Sequence, residues 1–318
     1  MRRRELLGSL AIAALHPATQ AQSWPAGPIR VVVPFPPGSA ADAIPRAIAA
    51  RMQVVLGVPC IIDNQPGAAG TLGAKFVANA PADGQTLLSH TSSLVIQPHV
   101  GAAPFDALRD FTPVTQTVSG SYVLVVRPDF PATDLRGFVA TVRRAPGRYS
   151  YGSHGVGSGP HLAMELLKAD TNLFVLHVPF RGAAPAMQEL LAGRLDMAFD
   201  TTFAAVPHVR AGRLKAIAVG GLQPVAALRD VGRVADMLPG FDTDGWQGLL
   251  APAGSPAPVV QRLADEVAAA LQQPELARRI TDLGFQPIGN RPEQFAARMQ
   301  TDHAKWGRVV RERGIKAE

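Results

Sequence analysis

The chain has one cysteine, Cys60, in 318 residues. No disulfide can form within it, so an exported form must be held by its core alone. Cys60 lies in an apolar run and reads as a buried spacer, not a reactive thiol. Histidines at metal-ligand spacing are also lacking: there is no HxH and no HExxH. No metal and no cofactor is expected. Basic residues are not clustered. Arg109, Arg127, Arg143, Arg144, Arg210 and Arg213 are scattered, without interleaved aromatics, which excludes nucleic acid as a partner. No apolar run after the N-terminus is long enough to span a bilayer.

What is present begins with an export grammar. Arg2, Arg3 and Arg4 form a positive start, Leu6 to Leu15 an apolar stretch too short for a membrane span, and Thr19 to Ala21 a small-residue end. Residues 1–21 are expected to be a cleavable signal peptide, and "RRRELLGS" also looks like a twin-arginine signal. The expected fate is export from the cytoplasm. The formal charge is +6; removing Arg2, Arg3, Arg4 and Glu5 takes away a net +2 and leaves +4. Such a field weakly favours a small anion.

The rest is 47% hydrophobic over the whole chain, with 30 glycines and 28 prolines spread along it, so a sizeable core with many element boundaries is expected. Strand signals fall at Ile29 to Phe35, Cys60 to Gln65 and Thr86 to Thr91. A helix lies between the first two, with Ile44, Ile48, Met52 and Val55 on one face and Gly57 as its stop. A second set of strands follows at 122–126, 148–153, 174–180, 195–200 and 214–220. After "GWQGLLAP" the chain is nearly all helical. Val260, Leu263, Val267 and Leu271 form one stripe, and Leu276, Ile280 and Leu283 another. A last helix from Asn290 carries Phe295, Met299 and Trp306. The alternation predicts two α/β lobes with parallel-rich sheets flanked by helices and a cleft between them. Ligands of such sheets sit beyond the strand C-terminal ends.

Small-residue loops stand at those ends. "VVVPFPPGSAAD" runs from a core strand through Pro34, Pro36 and Pro37 to Gly38, Ser39 and Asp42 at a helix start. The prolines fix the loop, the small residues admit a ligand to the backbone, and Asp42 either caps the helix or faces the cleft. "PGAAG" brings Gly67, Ala68, Ala69 and Gly70. "YGSHGVGSGPHL" offers Ser153, Gly157, Ser158 as a helix cap, and His161. It is neither a P-loop, a GxGxxG fingerprint nor a GxSxG elbow. "VPFRGAAPA" adds Arg181, a carboxylate partner or a solvated charge at a helix start.

Eight segments in order carry a resemblance: "WPAGPIRVVVPFPPGSAAD", "DNQPGAAGTLGA", "PADGQTLL", "DFTPVTQ", "YGSHGVGSGPHLAMELLK", "HVPFRGAAPAMQELLAGRLDMAF", "AGRLKAIAV" and "GWQGLLAPAGSPAPVVQRL". Together they resemble the Bug family of periplasmic solute-binding proteins, receptors of tripartite tricarboxylate transporters. The resemblance implies a bilobal type II periplasmic binding-protein fold that closes on a small carboxylate, held by backbone amides, hydroxyls and water. It implies no enzyme activity, a monomer, and the transporter's membrane subunits or a sensor as partner. The expected ligand-binding set is Pro37, Gly38, Ser39, Asp42, Gly67, Ala68, Ala69, Gly70, Thr91, Ser92, Ser153, Gly157, Ser158, His161, Arg181 and Asp200. The chain departs from the family pattern at Ser39, where a second glycine is usual, in "NQPGAAG", and at Gln85. Lobe one is expected at 22–122 and 247–318 and lobe two at 123–246. A rival from another class is an α/β hydrolase using Ser158 or Ser153 with His154 or His161. It requires a base hydrogen-bonded to a serine in the cleft.

Overall fold

The computed structural model describes residues 24–67, 70–101 and 103–316. The expected signal segment 1–21, Ala68 and Ala69 lie outside the described residues.

Two mixed sheets organise the chain. The first has six strands, β1 (Ile29–Val33), β2 (Cys60–Asn64), β3 (Thr86–Thr91), β4 (Phe111–Gly120), β10 (Gly245–Pro252) and β11 (Gln286–Pro287), in the order β11-β4-β10-β3-β1-β2. The second has five, β5 (Tyr122–Val126), β6 (Ser150–Ser153), β7 (Leu176–Pro179), β8 (Met197–Thr201) and β9 (Lys215–Val219), in the order β7-β6-β8-β5-β9. β1 pairs in parallel with β2 and β3, and β6 with β7 and β8. The other pairings are antiparallel: β10 with β3 and β4, β11 with β4, and β5 with β8 and β9. The expectation of parallel-rich sheets is corrected to mixed ones. The antiparallel strands β4, β5 and β10 flank the two points where the chain passes from one sheet to the other.

Each sheet is buried on both faces, which is why β1 and β5 read as nearly unbroken apolar runs. Val31 and Val33 pack with Ile44, Ile48 and Met52 of α1 (Ala40–Leu56) and with Leu263 and Val267 of α8 (Ala257–Leu271). Val32, between them, packs on the other face with Ala74 of α2 (Thr71–Ala78), Leu94 of α3 (Ser93–Val100) and Phe295 of α10 (Pro292–Arg313). In β5, Leu124 and Val126 face one core and Val123 and Val125 the other. The former core includes Leu167 of α5 (Gly159–Thr171), the latter Leu190 of α6 (Ala183–Leu191) and Ala205 of α7 (Thr202–Arg210).

Three sequence expectations are corrected in detail. The α1 stripe continues from Met52 to the half-buried Leu56, while Val55 is exposed. Cys60 is only half-buried, because β2 is an edge strand; burial still pushes its thiol up. The last helix begins at Pro292, not Asn290. Asn290 Oδ1 accepts from the Gln116 N–H and its carbonyl accepts from the Thr115 hydroxyl, so the residue is held in the extended chain. Among the described residues no helix is long and apolar enough to cross a membrane.

Candidate ligand-binding cleft

Because β1, β2 and β3 run parallel, the loops after them share one edge of the first sheet. The loops after β6, β7 and β8 share one edge of the second for the same reason. Two hydrogen bonds bring these edges together. Gln97 Nε2, on α3, donates to the Val156 carbonyl at 3.2 Å, and Ser92 is hydrogen-bonded to the Tyr122 hydroxyl. Burial pushes the Tyr122 phenol up to about 12, with the neighbouring carboxylates of Asp200, Asp244 and Asp302 adding to it and the Ser92 bond opposing.

On the first edge, Pro37 and Gly38 are exposed and Ser39 is half-buried. Gly38 has φ +78, and a Cβ there would meet nothing within 4 Å. The Ser39 hydroxyl donates to the Pro36 carbonyl at 2.8 Å, closing its own loop. Asp42 is buried beneath the turn. Its carboxylate accepts from the Gly38 N–H at 3.0 Å, from Asn64 Nδ2 at 2.9 Å and from Arg46 Nη2 at 2.7 Å. Burial alone would raise the carboxyl, but these donors outweigh it and hold Asp42 below the ordinary carboxylate range. Asp42 is therefore the brace of the loop, and Asn64, which also donates to the Phe35 carbonyl at 3.1 Å, is its partner from β2. Asn64 escaped the sequence reading, because its contact to Asp42 spans 22 residues.

The second loop keeps Gly67 at φ +148 and Gly70 at φ +96. At Gly70 a side chain is excluded, since a Cβ would lie 2.5 Å from His90 Nε2. His90 is buried under this loop with Phe35 edge-on, and burial lowers its imidazole to about 4. Thr91 Oγ1 and Ser93 Oγ are 2.8 Å apart, and the Ser92 N–H donates to the Trp246 carbonyl at 3.0 Å.

On the second edge the glycine loop is bonded to itself. The Gly155 N–H donates to Ser153 Oγ at 3.2 Å, the Gly157 N–H to His161 Nδ1 at 3.1 Å, and the Ser158 N–H to the Gly155 carbonyl at 3.1 Å. Ser158 caps α5, its Oγ accepting from the His161 N–H at 3.4 Å. His161 is buried below the loop, stacked on His177 with ring centroids 4.1 Å apart, and His177 stacks in turn on Tyr151 at 4.7 Å. Burial first, then the neighbouring His177 and Lys168, lowers His161 to about 3. Burial lowers His177 to about 4. A neutral His161 is what the geometry requires, because its Nδ1 must accept.

The hydrolase reading asked for a serine with a base in the cleft. Ser153 Oγ does lie 2.7 Å from a histidine, but that histidine is His177, and Ser153 has no exposed surface. Ser158 Oγ serves as the helix cap. Arg181 stands exposed after β7, with no ion pair among the described residues, and Gly182 beside it has φ +114. Asp200 ends β8 almost fully buried. Among the described residues no cluster of three or more His, Cys, Asp or Glu side chains could hold a metal ion. A shallow groove lined by Arg30, Leu72, Phe76 and Asn79 lies away from these loops, toward the strand N-terminal ends of the first sheet.

Comparison with known proteins follows the same outline. A protein encoded between tcbD and tcbE in Pseudomonas sp. strain P51 is 36% identical over 324 residues, covering 99% of this chain and 96% of that protein. BugT of Bordetella pertussis is 30% identical over 314 residues, covering 96% of this chain and 95% of BugT. The adipate-bound structure of R. palustris Rpa4515 superposes with a TM-score of 0.87 at 30% identity, covering 92% of this chain and 99% of that one. MatC of Rhodopseudomonas palustris with bound malate gives 0.82 at 34% identity, covering 90% and 100%. The family model described as tripartite tricarboxylate transporter family receptor matches residues 44–315, and the chain belongs to that family of periplasmic solute receptors.

Proposed function

We propose that this receptor captures a small carboxylate between two lobes and delivers it to the membrane subunits of a tripartite tricarboxylate-type transporter. The observation that carries the reading is the meeting of two sets of small-residue loops, each at strand C-terminal ends, across Gln97–Val156 and Ser92–Tyr122. Adipate and malate in the two solved relatives supply the ligand class. In this reading residues 22–122 and 247–318 form lobe one and residues 123–246 lobe two. Residues 1–21 direct export and are removed. The ligand site comprises the turn at Pro37 to Ser39, the loop from Gly67 to Gly70, Thr91 and Ser92 on one side, and the Ser153 to His161 loop, Arg181 and Asp200 on the other. Asp42, Ser158 and His161 act there by shaping loops, and the protein catalyses no reaction.

A thermal-shift screen of small carboxylates on the mature protein tests this. A ligand at 100 times its dissociation constant adds about 2.7 kcal/mol to stability. Adipate, malate or a close analogue is expected to raise the melting temperature, and neutral diamides of the same length are not. A protein stabilised by the diamides and by none of the acids would overturn the carboxylate assignment.

A further inference from the structure

The glycine loop of the second sheet commits several of its N–H groups to itself. The N–H groups of Gly155, Gly157 and Ser158 are all bonded within the loop or to His161. A ligand carboxylate reaching this edge gains from a side-chain donor as well, and the fold supplies one beside the loop.

His154 directly follows β6, and Asp200 lies near the end of β8. The two strands pair in parallel, with Gly152 opposite Ala198, so the two residues are neighbours on the cleft edge. Asp200 Oδ1 accepts from the Thr201 N–H at 2.7 Å and from the Thr201 hydroxyl at 3.4 Å. The Asp200 side chain is 2% exposed. His154 Nε2 lies 3.1 Å from the same oxygen, within ion-pair distance, yet it is buried without an aligned hydrogen bond to any described group. The His154 side chain is 18% exposed, and since Nε2 is buried, the accessible part is the rest of the ring. Nδ1 is the donor that remains. A buried carboxylate favours a cationic neighbour, and alone it would repel an anionic ligand. With the imidazole set against it, the carboxylate is screened from the cleft and the ring presents an N–H donor there. A carboxylate behind a histidine also fixes the ring, as it does for other histidines that hold an anion or a metal.

We propose that His154, positioned by Asp200, is the side chain of the second lobe that meets a ligand carboxylate. The pair makes this end of the site read charge, where loop amides would read only hydrogen-bond geometry. The proposal rests on the receptor reading above.

The test is calorimetry on the mature protein with adipate and with adipamide, its neutral diamide, for wild type, His154→Ala, His154→Asn, His154→Gln and Asp200→Asn. Melting temperatures of the ligand-free proteins identify any variant that is damaged as a fold. His154→Ala is expected to weaken adipate about 10- to 100-fold, the range for a hydrogen bond to a charged group, and to leave adipamide nearly unchanged. His154→Asn, whose amide stands near the Nδ1 position, should keep more of the affinity than His154→Gln, whose amide stands near Nε2. Asp200→Asn should reduce the preference for adipate over adipamide without abolishing binding, which a merely structural role would not do. If His154→Ala binds adipate as wild type does, or loses both probes by the same factor, the proposal is overturned while the receptor reading stands. If wild type takes neither probe nor malate, the carboxylate reading fails and the proposal with it.

Discussion

Asp42 lets the bracing of the first loop be measured. Replacing it with alanine removes the acceptor of the Gly38 N–H, one of the two acceptors of Asn64 Nδ2, and the partner of Arg46. The first two losses fall on partly buried groups, and hydrogen bonds to an ionised acceptor contribute about 1.5–3 kcal/mol each. Arg46 counts for less, since its side chain is 52% exposed and it keeps Asn64 Oδ1 at 3.2 Å; exposed pairs contribute about 0–1 kcal/mol. The loop will relax, so the losses do not add fully, and Asp42→Ala should cost about 2–4 kcal/mol. Urea unfolding followed by tryptophan fluorescence suits the measurement, because Trp246 and Trp306 are both buried in cores that contain residues of α3. The pH dependence is a second check. The folded carboxyl is held below its ordinary 3.8, so the stabilisation is complete above that value and disappears as pH falls through the lower folded value. The wild-type advantage over Asp42→Ala should be flat from pH 5 to 8 and shrink once pH drops below about 3.8. A difference under about 0.5 kcal/mol at pH 7, the usual size for an uninvolved surface site, would refute the bracing role. So would a difference of full size that persists unchanged in acid.

Further outcomes are expected at the loops and histidines. Gly157→Val should weaken adipate more than tenfold, because Gly157 has φ +75 and a Cβ there would lie 2.9 Å from both Gln97 Nε2 and Val100 Cγ2; Arg181→Ala should cost less than about threefold, as for an exposed pair. Calorimetry that reversed this order would make Arg181 the principal anchor. Ser39→Gly should keep the melting temperature while shifting the preference among acids, whereas Ser39→Leu should block closure; unchanged affinity in the leucine variant would show that the turn is scaffold only. His90, His161 and His177 are neutral when folded, lowered to about 4, 3 and 4, and take up protons when unfolded. Stability should therefore fall as pH drops below 6.5 and go on falling to about 4, and His161→Phe should show a shallower slope in that window.

The sequence disclosed the elements whose residues announce themselves locally. Val31 to Val33 and Val123 to Val126 are apolar on both faces, so a buried strand is the natural reading. β4 and β10 were not legible. β4 carries Pro113 and ends on Gly120, and β10 opens with Gly245 and holds Gly248, residues that weaken a strand taken alone. Their pairing with each other makes them strands, and Gly248 is there because a Cβ would lie 2.1 Å from the Phe295 ring. The loops of the site were legible as glycine and small residues after strands. The destinations of their polar groups were not. That Asp42 turns inward to Gly38 and Asn64, that Ser153 meets His177, and that His161 accepts from Gly157 all depend on backbone paths that only the assembled sheets define.

The tail helix ties this architecture to motion. The chain leaves the first sheet at Gly120 and enters the second at Tyr122, and it returns into β10 at Gly245. Ser121 Oγ donates to Asp244 Oδ1 at 2.5 Å, so the two crossings are tied to each other. Gly221 is required beside them, because a Cβ would fall 1.9 Å from that carboxylate oxygen. From the side of the first sheet, α10 grips the returning strand: Arg298 Nη2 donates to the Asp244 carbonyl at 3.1 Å, and Asp302 accepts from Trp246 Nε1 at 2.8 Å. From the second, the Gly220 N–H donates to the Tyr122 carbonyl at 2.8 Å and the Thr243 N–H to the Gly220 carbonyl at 2.9 Å. Both crossings are thus pinned to within a residue or two on either side. Trp306 and Val310 of α10 pack with Ile96 of α3 and Leu162 of α5, a seam that joins helices flanking the two sheets. A ligand can shift a receptor between two states only by its differential affinity for them, and under the proposed reading the ring face that His154 turns away from Asp200 contributes to that difference.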